Sequence, residues 1–191
     1  TSGGATWAND NKTIFYTKKD KTTLRSNQIY RHTLGTDVSE DVLVFEEKDE
    51  TFSCFIYKTK SRQYLMIGSY QTLSTEYRFL DADNPLGEWT VIHSRENNLE
   101  YSVSHFKDKF YIKTNWNAKN FRLMQTPIHS PSKSNWKEII PHREDVLLRS
   151  IDVFKNYLVV NERNAGIRKT RVINWNDNSE YYITFNDPSY S

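Results

Sequence analysis

Short apolar runs, each cut off by a polar turn, follow one another along this chain in an order that returns four times. Each return opens with an apolar strand, a polar turn and a second strand dense in Tyr, Phe, Ile, Leu and Val. These pairs cover Trp7 to Tyr16, Phe52 to Ile67, Val103 to Ile112 and Ile151 to Val160. A third run follows at Gln28 to Leu34, Thr75 to Leu80, Phe121 to Pro127 and Ile167 to Trp175. A fourth lies at Asp41 to Glu46, Trp89 to His93, Trp136 to Ile140 and Glu180 to Phe185. With Phe15, Leu65, Tyr111 and Leu158 taken as equivalent, the intervals are 50, 46 and 47 residues, close to the blade period of a propeller. Aromatic and β-branched residues suit a pleated, half-buried surface, and the runs are too short for ordinary helices. The expected fold is all-β: one partial β-propeller domain over 1–191, of about four four-stranded antiparallel blades, approximately 1–48, 49–94, 95–141 and 142–191.

The second strands, such as Phe110-Tyr111-Ile112 and Tyr157-Leu158-Val159-Val160, are nearly continuous in apolar residues, as in a sheet covered on both faces. Fourth strands alternate more, as in Trp136-Lys137-Glu138-Ile139-Ile140, which fits an outer, partly wet position. Turns are expected at Asn9 to Lys12, Lys58 to Arg62, Asp81 to Gly87 and Lys107 to Lys109. Four such blades form either a small closed ring or an open arc of a larger one. In an arc, neighbouring blades supply the stability and the exposed blade edges invite self-association.

Composition narrows the chemistry. The chain is 37% hydrophobic and 14% aromatic, enough for a packed core. Its net charge of +2 gives no global field toward nucleic acid or an acidic membrane, so neither is expected as a partner. Cys54 is the single cysteine, which excludes an internal disulfide or a cysteine-rich zinc cage. No run approaches the length of a membrane span, and Thr1 to Ala5 has neither a basic nor an apolar leader region. A cytoplasmic location is expected, or a periplasmic one if a leader has been removed.

The six glycines, at 3, 4, 35, 68, 87 and 166, form neither a nucleophile elbow nor a phosphate-cradling loop. His32, His93, His105, His129 and His142 are scattered and form no His-Glu-x-x-His pair, and none is given a role. Asp10, Asp83 and Glu162 are candidate blade-edge carboxylates. A glycosidase would need two of them roughly 5 to 10 Å apart across a sugar, whereas solvated turn acids are the simpler reading. Basic residues gather at Lys18, Lys19 and Lys21, at Lys58, Lys60 and Arg62, and at Lys107 and Lys109. The aromatics near them follow the strand period and suit inter-blade packing better than base stacking. Asn11-Lys12-Thr13 matches a glycosylation sequon but reads as a hairpin turn. No catalytic, metal-binding or cofactor-binding residue is assigned, and no cofactor is expected.

Longer stretches are more specific. Thr6-Trp7-Ala8-Asn9-Asp10-Asn11-Lys12-Thr13-Ile14-Phe15-Tyr16, Gln28 to Thr36, and Asp41 to Glu47 with Asp49 are similar to the propeller of oligopeptidase B (protease II), in the prolyl oligopeptidase family. The likeness continues in order through Glu100-Tyr101-Ser102, Phe110-Tyr111-Ile112, Asn115, Lys119-Asn120-Phe121, Trp136 to Pro141 and Asn186-Asp187-Pro188-Ser189-Tyr190. This resemblance implies a seven-bladed propeller joined to an α/β-hydrolase domain, whose Ser-Asp-His triad cleaves short peptides after lysine or arginine. The triad lies in the hydrolase domain, outside this chain, so no catalytic residue carries over. The resemblance gives the propeller the task of screening the active site and excluding folded proteins. Its implied partners are the hydrolase domain and short basic peptides. Two other readings stand beside it: a self-contained propeller that binds a protein partner, and a small propeller glycosidase suggested only by Asn84-Pro85-Leu86-Gly87-Glu88-Trp89.

Overall fold

A computed structural model of the protein describes residues 4–185. Its strands form four separate sheets, each an antiparallel meander in chain order. The first holds β1 (Ala5–Trp7), β2 (Thr13–Lys19), β3 (Ser26–Thr33) and β4 (Val42–Glu46). The second holds β5 (Ser53–Lys58), β6 (Tyr64–Gln71), β7 (Ser74–Asp81) and β8 (Thr90–His93). Next come β9 (Tyr101–Phe106), β10 (Lys109–Thr114), β11 (Arg122–Pro127) and β12 (Lys137–Ile140). The fourth sheet holds β13 (Val146–Val153), β14 (Tyr157–Asn164), β15 (Ile167–Asn174) and β16 (Glu180–Tyr182). The expected all-β reading, with four strands in each of four units, is what the chain adopts. The stretch Asn186 to Tyr190 lies outside the described residues.

The sheets fall into two compact units, Thr1–Asn98 with the first pair and Leu99–Ser191 with the second. In the first unit Phe15 and Ile29 of one sheet meet Cys54, Ile56, Leu65, Ile67 and Leu80 of the other, with Ala8 and Ala82 completing the cluster. The Trp89 ring packs edge-on against Phe15, centroids 5.8 Å apart. In the second unit Tyr111, Leu123 and Ile140 meet Leu148, Val153, Leu158 and Val160. Each large side chain withdrawn from water contributes roughly 1.5–3 kcal/mol, which is what holds paired sheets together.

Strand composition dictates which faces are covered. Leu65 to Ser69 of β6 and Phe110 to Ile112 of β10 are buried in succession, so both faces of these strands are dry. β2 and β14 bury alternate residues instead, although Tyr157 to Val160 reads as continuous. Tyr157 is 43% exposed, so the apolar run there does not mean two covered faces.

Turn chemistry fixes the hairpins. Asp10 takes the amides of Lys12 and Thr13 and the Thr13 hydroxyl on its carboxylate, while Asn11 adopts φ 55°. Ala165 and Gly166 join β14 to β15 with φ of 47° and 84°, both positive as a two-residue type I′ turn demands. At Gly68 the Phe55 ring, directly across the ladder, occupies the place of a side chain: a Cβ would lie 2.3 Å from its Cζ. Phe55 in turn packs with Tyr57, Tyr70 and Tyr77.

The pairing of the third strand with the fourth shifts register in three sheets, at Ile29/Tyr30, Tyr77/Arg78 and Leu123/Met124. In the fourth sheet the shift falls between Leu148 and Ser150, in the first pairing. That bulge explains a difference from the sequence pattern. β13 starts at Val146 rather than Ile151, because an extra residue at Arg149 interrupts the apolar alternation by which the strand would be recognised.

Candidate functional site

The first unit has a concave surface along β1. In the ladder between β1 and β2 hydrogen-bonded pairs alternate with non-bonded ones. Thr17 donates its amide to Gly4 and Ala8 donates to Thr13, so Gly4, Thr6 and Ala8 turn their main-chain groups toward β2. Ala5 and Trp7 therefore aim theirs outward, along the open edge of the sheet. A groove of about 840 Å³ runs along this edge, lined by Ala5 to Asn9 with Asn11, Lys58 and Arg62. Trp7 is 43% exposed there.

Asn9 anchors the groove to the second sheet. Its amide donates to the Ala82 carbonyl at 2.8 Å, and its side-chain nitrogen donates to the Arg62 carbonyl at 3.0 Å and to Asp83 at 2.7 Å. The Asn9 side-chain oxygen accepts from Lys58 Nζ at 3.0 Å. One asparagine thereby ties a hairpin of the first sheet to two turns of the second and fixes the Lys58 ammonium. Burial lowers the Lys58 pKa, and the nearby Arg62 charge lowers it further against the pull of Asp83.

A second set of polar contacts holds the crossover between β4 and β5. Arg25 Nη1 donates to the carbonyls of Glu47, Asp49 and Phe52 at 3.3, 3.1 and 2.6 Å. On the other side Arg95 binds both oxygens of Glu47, lies 4.0 Å over the Phe52 ring and donates its amide to Glu76. Glu76 also pairs with Arg78 at 2.6 Å. Burial acts to raise the pKa of Glu47, but the Arg95 hydrogen bonds and the Asp49 amide outweigh it and hold the carboxyl below its ordinary value. In the second unit Asn120 does similar work, donating to the carbonyls of Arg143 and Glu144.

The residues singled out in the sequence are not brought together as a catalytic constellation. The Asp10 carboxylate is engaged by its own turn, Asp83 by Asn9, and Glu162, buried in the other unit, by Arg143 and the Tyr182 hydroxyl. Asp10 and Glu162 hold structural positions, so the paired-carboxylate geometry of a glycosidase gains no support. His32 and Tyr16 share Asp41 at 2.6 and 2.7 Å, His93 meets Glu96 at 2.6 Å, and His142 lies 3.7 Å from Glu144. His105 is buried against Phe110, and His129 sits in the turn after β11. Lys18 lies over Tyr30 and Lys107 over Phe106, so those cations cover strand aromatics. Lys58 and Arg62 do line the groove. Asn84 to Gly87 make a tight turn that delivers Trp89 to the core. Among the described residues, no group of three or more His, Cys, Asp or Glu is placed to hold a metal. Trp7 and Asn9 went unrecognised as groove residues, since only the fold sets them beside Lys58 and Arg62.

Four successive four-stranded antiparallel meanders define a β-propeller segment. Residues 1–191 match the family described as prolyl oligopeptidase, N-terminal beta-propeller domain, and the chain belongs to that family. It is 36% identical over 186 residues to dipeptidyl aminopeptidase BI of Pseudoxanthomonas mexicana, covering 97% of this chain and 25% of that protein. It is 32% identical over 190 residues to protease 2 of Moraxella lacunata, covering 99% and 27%. Among solved structures, oligopeptidase B from Leishmania major superposes with a TM-score of 0.89 at 32% identity, covering 98% of this chain and 28% of that one. The chain thus spans about a quarter of the length of the relatives it matches.

Proposed function

We propose that this chain is the non-catalytic, substrate-gating propeller segment of a serine oligopeptidase that cleaves short peptides after lysine or arginine. The observation that carries the reading is the whole-length match to the family's N-terminal propeller domain, together with relatives about four times as long. In this reading 1–191 is one partial propeller domain with blades near 1–48, 49–94, 95–141 and 142–191, in a cytoplasmic enzyme. The α/β-hydrolase domain is its partner and supplies the Ser-Asp-His triad. Acyl transfer needs a nucleophile, a base and an oxyanion hole together, so the chain alone is inactive. Its contribution is to sieve by size and to shield the reacting bond from bulk water.

A gate that filters by size must resist opening, and the Arg25 and Arg95 contacts on the β4–β5 crossover give the segment that stiffness. In the full-length enzyme, Arg25→Ala with Arg95→Ala should raise kcat/KM for a peptide of about 30 residues relative to a pentapeptide by several-fold. An unchanged ratio in a variant that is measurably less stable would count against gating. Incubating the 191-residue chain with a lysine or arginine ester tests the inactive state, and turnover that co-purifies with it would overturn that part.

A further inference from the structure

We propose that the groove along β1 takes the C-terminal end of an extended peptide, with the peptide main chain added to the β1 edge and its carboxylate held by Lys58 and Arg62. The inference rests on the gating reading and names what the gate holds.

Three features of the groove converge on this ligand. The outward-facing N–H and C=O groups of Ala5 and Trp7 present the alternating donor and acceptor row that an added strand requires. The strand Ala5–Trp7 is long enough to pair with a short segment of peptide. Lys58 and Arg62 stand together at the end of this edge, and the nearby carboxylate, Asp83, is already engaged by Asn9 at 2.7 Å. Two neighbouring cations repel each other, and an anion between them relieves that repulsion. A peptide's terminal carboxylate is the anion that arrives attached to a strand.

The site is also organised before any ligand enters. Asn9, itself bound to the second sheet through Ala82, Arg62 and Asp83, holds the Lys58 ammonium at 3.0 Å. A side chain already fixed in position loses less freedom on binding. Trp7, 43% exposed on the same edge, offers an apolar platform to a side chain near the peptide's end. The cation pair also sets direction, because lysine and arginine side chains are repelled from this end of the groove. A peptide bound here keeps its basic residues away from Lys58 and Arg62.

The test is fluorescence anisotropy with an N-terminally labelled apolar pentapeptide, made once as the free acid and once as the C-terminal amide, titrated with the 191-residue chain. The acid should bind at least tenfold more tightly than the amide, and the difference should shrink as salt is raised. Arg62→Gln should cut the preference severalfold while leaving the Asn9 contact to the Arg62 main chain in place, and Lys58→Gln with Arg62→Gln should abolish it. Methylating alternate peptide nitrogens should weaken binding of acid and amide alike. Equal binding of acid and amide, no binding of either, or a double variant that keeps both its fold by circular dichroism and its preference would overturn the proposal. Competition by acetate alone at the pentapeptide's own concentration would overturn the strand-addition part. These measurements need no turnover, so their outcome is independent of the size-selectivity assay on the full-length enzyme.

Discussion

Arg95 grips the carboxylate of Glu47 with both terminal nitrogens, at 2.6 and 3.3 Å, across 48 residues of chain. The Glu47 side chain is only 4% exposed, so its charge has no water to fall back on. Arg95→Ala strands that charge and should destabilise the chain by about 3 kcal/mol, since breaking a buried pair from one side leaves an uncompensated ion. Urea unfolding monitored by circular dichroism measures it. Glu47→Gln with Arg95→Met should recover much of the loss.

The same pair predicts acid sensitivity. Glu47 has a folded pKa below its unfolded value of 4.5, so the unfolded chain binds the proton more readily. The pair's contribution is fully present above pH 4.5 and is lost as the pH falls through the folded pKa. Between pH 6 and pH 3 the wild type should therefore lose more stability than the Glu47→Gln, Arg95→Met variant.

His105 acts at higher pH. It is buried beside Phe110, and desolvation depresses its pKa below 6.5. Folding therefore favours the neutral ring, and stability present above pH 6.5 is lost as the pH falls toward the folded pKa. His105→Phe should flatten the fall in Tm between pH 7.5 and pH 5.5.

Gly68 has no room for a methyl group. A Cβ at 2.3 Å from the Phe55 ring forces that ring out of its aromatic cluster, so Gly68→Ala should cost roughly 1–3 kcal/mol. Phe55→Leu in the same chain should relieve part of the penalty, which a double-mutant cycle would detect as coupling.

Ala165 carries backbone strain at φ 47°. Ala165→Asn creates the Asn-Gly pair preferred in this turn and should stabilise by about 1 kcal/mol, because asparagine tolerates the left-handed region better than alanine. Thermal unfolding should show a rise in Tm of a few degrees.

How far the sequence announced this architecture depends on which residues were asked to speak. Phe110-Tyr111-Ile112 and Leu65-Met66-Ile67 declared their strands because apolar runs bounded by turns have few other uses. β13 reads short in the sequence because the bulge at Arg149 breaks its alternation. The groove was half visible: Lys58 and Arg62 stood out as a basic cluster, whereas Trp7 and Asn9 looked like ordinary members of a hairpin. Their role depends on Asn9 meeting Ala82 and Asp83, more than seventy positions away, and no local pattern reports such a meeting. The Arg25 and Arg95 contacts were hidden for the same reason. Aromatic repeats advertise a core, but a guanidinium bound to carbonyls leaves no period.

The register shifts at Ile29/Tyr30, Tyr77/Arg78 and Leu123/Met124 recur where the third strand meets the fourth. An extra residue there bends the outermost strand and coils it more tightly. A coiled margin makes a poor template for a foreign strand, since its free amides and carbonyls no longer lie in one straight row. These three bulges thus guard the rims against fibril growth in a protein made almost wholly of β-structure, and straightening one by deleting its extra residue would remove that guard.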